Sequence, residues 1–139
     1  MLEAPRTPLT DAERLEEILR LLEDLRALAA DHVLIVEGKK DCAALEALSI
    51  QGDMYQMQTG GGAVGAVEYV EAHGGKAVIL TDWDRKGEEL AARLEELLGQ
   101  GNPSVDTRIR RELRRLCRMY IKDTESLDTL VRNLSAKSI

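Results

Sequence analysis

Apolar positions along this chain change their period several times. From Thr10 to Ala30 they recur at Leu15, Ile18, Leu19, Leu22, Leu25 and Ala29, the three- and four-residue spacing of one helical face, with Glu16, Glu17, Arg20, Glu23, Asp24 and Arg26 on the others. Thr10-Asp11-Ala12-Glu13 opens this stretch in the form of a capping box, Thr10 as N-cap and Glu13 reaching back. Residues 1–9, with Pro5 and Pro8, read as irregular. The chain then switches to short apolar runs over 33–36 and 77–81, the pattern of strands buried on both faces, and 54–58 reads as a further strand between them. Helical spacing returns over 39–48, through Cys42, Leu45 and Leu48, over the small-residue stretch 63–72, and over 87–98 through Leu90, Leu94, Leu97 and Leu98. Glycine-rich breaks separate these elements: Gly52, Thr59-Gly60-Gly61-Gly62, His73-Gly74-Gly75 and the run 99–103. Strands alternating with helices predict an α/β fold with a parallel, helix-flanked sheet and right-handed crossovers.

Beyond the last break the pattern is basic. Residues 107–118 hold Arg108, Arg110, Arg111, Arg114, Arg115 and Arg118 against one acid, Glu112, with Ile109, Leu113 and Leu116 as a narrow apolar seam. On a helix Arg108, Arg111, Arg115 and Arg118 share one side. Such a face either pairs with acidic helices of the same protein or holds a nucleic-acid backbone. A last amphipathic turn or helix is expected over 127–134.

The strand ends carry the candidate chemistry. Val33–Val36 runs straight into Glu37-Gly38-Lys39-Lys40-Asp41, and the run ending at Thr81 into Asp82-Trp83-Asp84-Arg85-Lys86-Gly87. In open α/β sheets ligands bind outside the carboxyl ends of the strands. Asp82 and Asp84 are two residues apart and point the same way on an extended chain. If the two strands are neighbours, Glu37 joins them in a cluster of three hard oxygen ligands suited to Mg²⁺, with Mn²⁺ as substitute. Lys39 and Lys40 stand at a helix start, where free backbone N–H groups favour phosphate. The glycines Gly60 and Gly61 could let backbone amides approach a second phosphate oxygen, or simply form a turn with tight helix packing. Trp83 alternates away from the acids and is expected in packing.

Composition narrows the field. The 139 residues fit one domain whose core must be aliphatic, because Phe is absent and aromatics make up 3%. The net charge of −6 argues against a uniformly basic coat for nucleic acid, though not against local basic patches. Cys42 and Cys117 lie far apart without a CxxC partner, so neither a zinc site nor a disulfide framework is indicated. No run is apolar enough over sufficient length to span a membrane, and the N-terminal stretch lacks the regions of a signal peptide; a cytoplasmic protein is expected.

The segments 33–41 and 78–87 together resemble the two signature motifs of the Toprim domain, a hydrophobic strand followed by EGxxD and a hydrophobic strand followed by DxDxxG. Every fixed position matches, Asp41 and Gly87 included, and Glu88 extends the second motif as in type IA topoisomerases. The fold is shared by topoisomerases, DnaG-type primases, OLD-family nucleases, RecR proteins and small nucleases that mature 5S ribosomal RNA. The whole chain is similar to the small stand-alone members of archaea and bacteria. The resemblance implies a Rossmann-like Toprim domain over 31–118, an added N-terminal helical extension over 1–30 and a helical tail over 119–139, in one compact unit.

It also implies roles. Glu37 would be the catalytic general acid or base and a metal ligand, and Asp82 and Asp84 the aspartates that coordinate Mg²⁺. Gly38, Asp41 and Gly87 would be structural loop residues. Tyr55, Tyr69 and Tyr120 are the only tyrosines, with no separate domain to carry a topoisomerase nucleophile and no primase modules. Metal-dependent hydrolysis or nucleotidyl transfer on nucleic acid, RNA ahead of DNA, is therefore expected. One alternative is a non-catalytic nucleic-acid-binding or scaffold protein that keeps the site. A weaker one is a phosphatase of the haloacid dehalogenase type, whose strand–DxD loop residues 79–84 resemble. The acidic N-terminal helix is read first as packing on its own domain, with homodimerisation through it as the other reading.

Overall fold

The computed structural model describes residues 8–137, so residues 1–7 of the expected irregular N-terminal stretch lie outside it. Six helices and four strands follow in the order α1 (Asp11–Leu28), β1 (Val33–Val36), α2 (Lys39–Ala47), β2 (Met54–Gln56), α3 (Gly62–Ala72), β3 (Ala77–Ile79), α4 (Arg85–Leu98), β4 (Val105–Asp106), α5 (Arg108–Cys117) and α6 (Leu127–Lys137), with a 3₁₀ turn at Thr124–Ser126 before α6. The expected capping box opens α1: Glu13 N–H donates to Thr10 Oγ1 at 3.1 Å, and Thr10 N–H to Glu13 Oε1 at 3.0 Å.

The sheet is parallel throughout in the order β2-β1-β3-β4. The chain leaves β1 for β2 on one side and returns to β3 on the other, so the direction of winding reverses between β1 and β3. That reversal opens a crevice beyond their carboxyl ends. Alternation along the strands sends Leu34, Val36, Val78 and Leu80 to one face and Val33, Ile35, Ala77 and Ile79 to the other. The first set packs with residues of α1, α2, α5 and α6, the second with α3 and α4. Both faces are thereby closed to solvent.

Two details differ from expectation. β4 pairs with β3 through Ala77↔Val105 and Val78↔Asp106, a strand too short for periodicity to reveal. On α1 the buried positions are Leu15, Ile18, Leu21, Leu22 and Leu25, while Leu19 is exposed. The stripe is rotated because the helix is covered from two sides, by α5 and α6. The apolar face on which a dimer through this helix would rest is thus buried within the chain. On the basic helix α5 the expected apolar seam of Ile109, Leu113 and Leu116 is buried in the core, together with Cys117.

Since Ile18 is fully buried, Ile18→Ala should lower unfolding stability by about 2–5 kcal/mol. Urea denaturation measures this; an unchanged midpoint would mean that α1 is an appendage rather than part of the core.

Candidate metal and phosphate site

Glu37 and Asp82 meet in the crevice between β1 and β3. Glu37 follows β1 directly, is buried, and its Oε2 accepts the Asp82 backbone N–H at 2.6 Å. This bond joins the two motif loops. Asp41 is buried one helical turn on, where its Oδ2 accepts the N–H groups of Glu37 and Gly38, each at 3.1 Å. It therefore ties the first loop to the start of α2. Gly38 lies against the Gln58 side-chain amide, which would have to swing aside for a Cβ there.

The second loop is held from behind. Arg110 projects from α5 with its guanidinium buried; Nε donates to Thr81 O at 2.9 Å and Nη2 to Asp82 O at 2.7 Å. Glu88 on α4 balances its charge, with Oε1 at 3.1 Å from Nη2. Thr81 Oγ1 donates to Gly87 O at 2.8 Å, and a Cβ on Gly87 would run into the Asp82 carbonyl. The glycine of the second motif is thus where α4 passes against the loop it follows. The segment before α6 completes the support: Trp83 N–H donates to Lys122 O at 3.0 Å, Trp83 Nε1 to Ile121 O at 2.8 Å, and Thr124 N–H to Asp82 Oδ1 at 3.3 Å. Trp83 is buried in packing, as its alternation suggested.

A cleft of about 410 Å³ lies here, lined by Glu37, Gly38, Lys39, Lys40, Asp41, Gln58, Asp82 and Glu125. Its acids load one another. Burial first, then the charges of Glu37 and Asp41, push the Asp82 carboxyl up to about 8. Burial also raises Asp41, against the two amides that favour its charged form. An oxygen-rich cleft whose carboxylates resist ionising together fits a hard divalent cation, and Glu37 and Asp82 are the side chains that would hold it. Asp84 does not join them. It is exposed and outside the cleft lining, and its Oδ1 caps α4 by accepting Gly87 N–H at 2.7 Å. Among the described residues no three His, Cys, Asp or Glu side chains stand close enough to hold one ion. The expected three-carboxylate convergence is thus a pair in this structure, because helix capping claims Asp84.

The expected phosphate-binding residues divide. Lys39 and Lys40 are exposed at the cleft rim and make no ion pair among the described residues. Gly60 is a packing glycine: its N–H donates to Gln56 O at 3.0 Å, and a Cβ would strike the Tyr55 ring. Gly61, at φ +95°, is the left-handed residue that starts α3. Neither lines the cleft. Arg108 pairs with Asp24 of α1 at 2.9 Å, and Arg115 with Glu112 at 2.6 Å and Glu17 at 3.7 Å. Arg111 donates to Thr107 O at 3.4 Å, while Arg118 makes no ion pair among the described residues. The residues that sequence reasoning passed over are Arg110, Gln58, Thr124 and Glu125. For Arg110 a signal existed, since it shares a helical face with Leu113 and Cys117. The other three lie in no motif and come to the cleft only through the fold.

The Toprim domain profile matches residues 32–116. The chain belongs to the Toprim domain family. A UPF0292 protein of Methanosarcina acetivorans is 37% identical over 126 residues, 91% of this chain and 85% of the relative. One from Methanocaldococcus jannaschii is 33% identical over 119 residues, covering 86% and 93%. A solved structure of a protein from Aquifex aeolicus superposes with a TM-score of 0.64 at 27% identity, over 78% of this chain and 95% of that one. The match embraces both motif loops together with Arg110, whereas the haloacid dehalogenase likeness was confined to 79–84. No described helix is long and apolar enough to cross a membrane.

The raised Asp82 carboxyl predicts a pH effect. Its folded value, about 8, exceeds its ordinary 3.8, so the folded state binds the extra proton between those limits. Stability should fall as pH rises across that window. In chelator, the melting temperature of the wild type should drop more between pH 5 and pH 9 than that of Asp82→Asn, in which this titration is gone. Parallel curves for the two proteins would refute the assignment.

Proposed function

We propose that the protein performs divalent-metal-dependent phosphodiester chemistry on nucleic acid, as a nuclease or nucleotidyltransferase, with Mg²⁺ as the physiological ion and Mn²⁺ as substitute. The observation that carries this reading is the meeting of Glu37 and Asp82 in the crevice, with Lys39 and Lys40 at its rim and without an ion pair among the described residues. RNA is put ahead of DNA on the resemblance to the small ribosomal-RNA maturation nucleases. A bound ion would neutralise non-bridging phosphate oxygens and stabilise charge on the attacking and leaving oxygens. Asp82 would release its proton as the ion enters. Glu37, tethered through Oε2, is the group assigned to proton transfer. Lys39 and Lys40 would draw the phosphate to the cleft and orient it there.

A non-catalytic nucleic-acid-binding protein is the second reading. It is favoured by one feature, the commitment of Asp84 to its helix cap, which leaves fewer ligands than the family motif offers. Incubating purified protein with structured and single-stranded RNA and DNA, with Mg²⁺, with Mn²⁺ and with chelator, separates the two. Metal-dependent product is expected, and Glu37→Gln should abolish it while leaving the fold largely intact. Wild-type cleavage by that variant would remove Glu37 from its role.

Salt dependence locates the phosphate contacts. Lys39→Gln with Lys40→Gln should lower the steepness of log affinity against log salt by about 1.4 for a single strand, about 0.7 for each lost contact. Reversing Arg108 and Arg115 to Glu would set like charges against Asp24, Glu17 and Glu112. That change should lower the melting temperature and leave the salt slope alone. A flattened slope in the arginine variant would instead make that face part of the track.

A further inference from the structure

A second and larger depression adjoins the cleft. It encloses about 850 Å³ between α2 and α6 and shares Lys40 and Glu125 with the carboxylate site. That volume lies in the range of pockets for nucleotide-sized ligands. Tyr120 stands half-exposed in its wall, backed by the Arg14 guanidinium 5.4 Å from the ring centroid. Ser126, Thr129 and Asn133 add hydrogen-bonding groups, and Ala43 and Leu130 add apolar surface. Its charges cancel, Lys40 and Lys137 against Glu125 and Asp128. A run of backbone phosphates would gain no net attraction there. A flat, uncharged ring with polar edges would find an aromatic to stack on and side chains to bond its rim.

We infer that this groove seats the nucleobase of the nucleotide whose phosphate occupies the Glu37–Asp82 cleft. The inference rests on the phosphate-site reading and deepens it: the substrate is held by one base as well as by its phosphate, and Lys40 stands where the two parts join. Tyr120 supplies stacking, and Thr129 and Asn133 meet the base edge. A paired base, stacked within a helix, could not enter, so the strand is taken up unpaired at this position.

Titration calorimetry on the full chain with Mn²⁺ present tests this, using ribose 5-phosphate and the four nucleoside 5′-monophosphates. At least one nucleotide should bind fivefold or more tighter than ribose 5-phosphate. Tyr120→Ala should bring that nucleotide down to the level of ribose 5-phosphate, whose own affinity should not change. Ala43→Gln, at an exposed helical position, should do the same by filling the groove with an uncharged side chain without disturbing the core. A base contribution below fivefold, or variants that weaken both ligands alike, would overturn the inference while leaving the phosphate site standing. If ribose 5-phosphate and the nucleotides all fail to bind, the phosphate-site reading fails and this inference with it.

Discussion

The Arg110 guanidinium is the contact on which the geometry of the site depends. It fixes two successive carbonyls, Thr81 O and Asp82 O, and so sets the plane of the peptide that follows β3. A buried cation is tolerated only where its donors are satisfied and its charge is met. Here the carbonyls and Glu88 do both. With its carbonyl held from behind by α5, the Asp82 residue presents its N–H to Glu37 and its carboxyl to the cleft. Lysine could not reproduce the arrangement, because a single ammonium lacks the planar fork that reaches both carbonyls and the carboxylate. Arg110 thus acts through the loop it positions, without lining the cleft itself.

The loop so held carries an electrostatic cost. Glu37 and Asp41 are buried, Asp82 is half-buried beside them, and burial and mutual repulsion raise Asp82. The surrounding structure sustains this local cost through interactions that do not themselves touch a ligand: the amides on Asp41, the Thr124 N–H on Asp82, and the packed Trp83. Strain of this kind concentrates at functional sites and is offset elsewhere in the fold. It also accounts for the extent of the support. A loop held only by its own strand would relieve the repulsion by swinging Asp82 into solvent.

What the sequence disclosed follows from how local each signal is. The first three strands, the first four helices and both motif loops were legible because a strand end, a cap or a tight turn leaves its mark within a few residues. Gly87 was legible in kind, although its reason, the Asp82 carbonyl beneath it, needed the fold. β4 was hidden because two paired residues have no period. Arg110 stood inside a run of like residues, and its place on the face of Leu113 and Cys117 was the one mark that set it apart from its solvated neighbours. Asp84 illustrates the opposite failure. Spacing alone put it beside Asp82, but the chain turns into α4 at that point, and an aspartate at a helix start is drawn to the free amides there. Glu125 and Gln58 could not have been found, since they reach the cleft from turns distant in sequence.

Closure of both sheet faces decides how a substrate must arrive. α3 and α4 cover one face and α1, α5 and α6 the other, so neither sheet surface can accept a nucleic acid. The edge formed by the carboxyl ends of the strands stays open, and there the start of α2 and the turn before α6 flank the acids. α5 presents Arg108 and Arg115 toward acids of α1 and Arg110 and Arg114 toward Glu88 of α4, and these acids neutralise much of their attraction for phosphate. Lys39 and Lys40, which make no ion pair among the described residues, carry less charge but stand at the open ends of the strands. Net basic content is therefore a poor guide in this chain: position relative to the strand ends decides which cations a phosphate can meet, and the fold, more than the composition, sets that position.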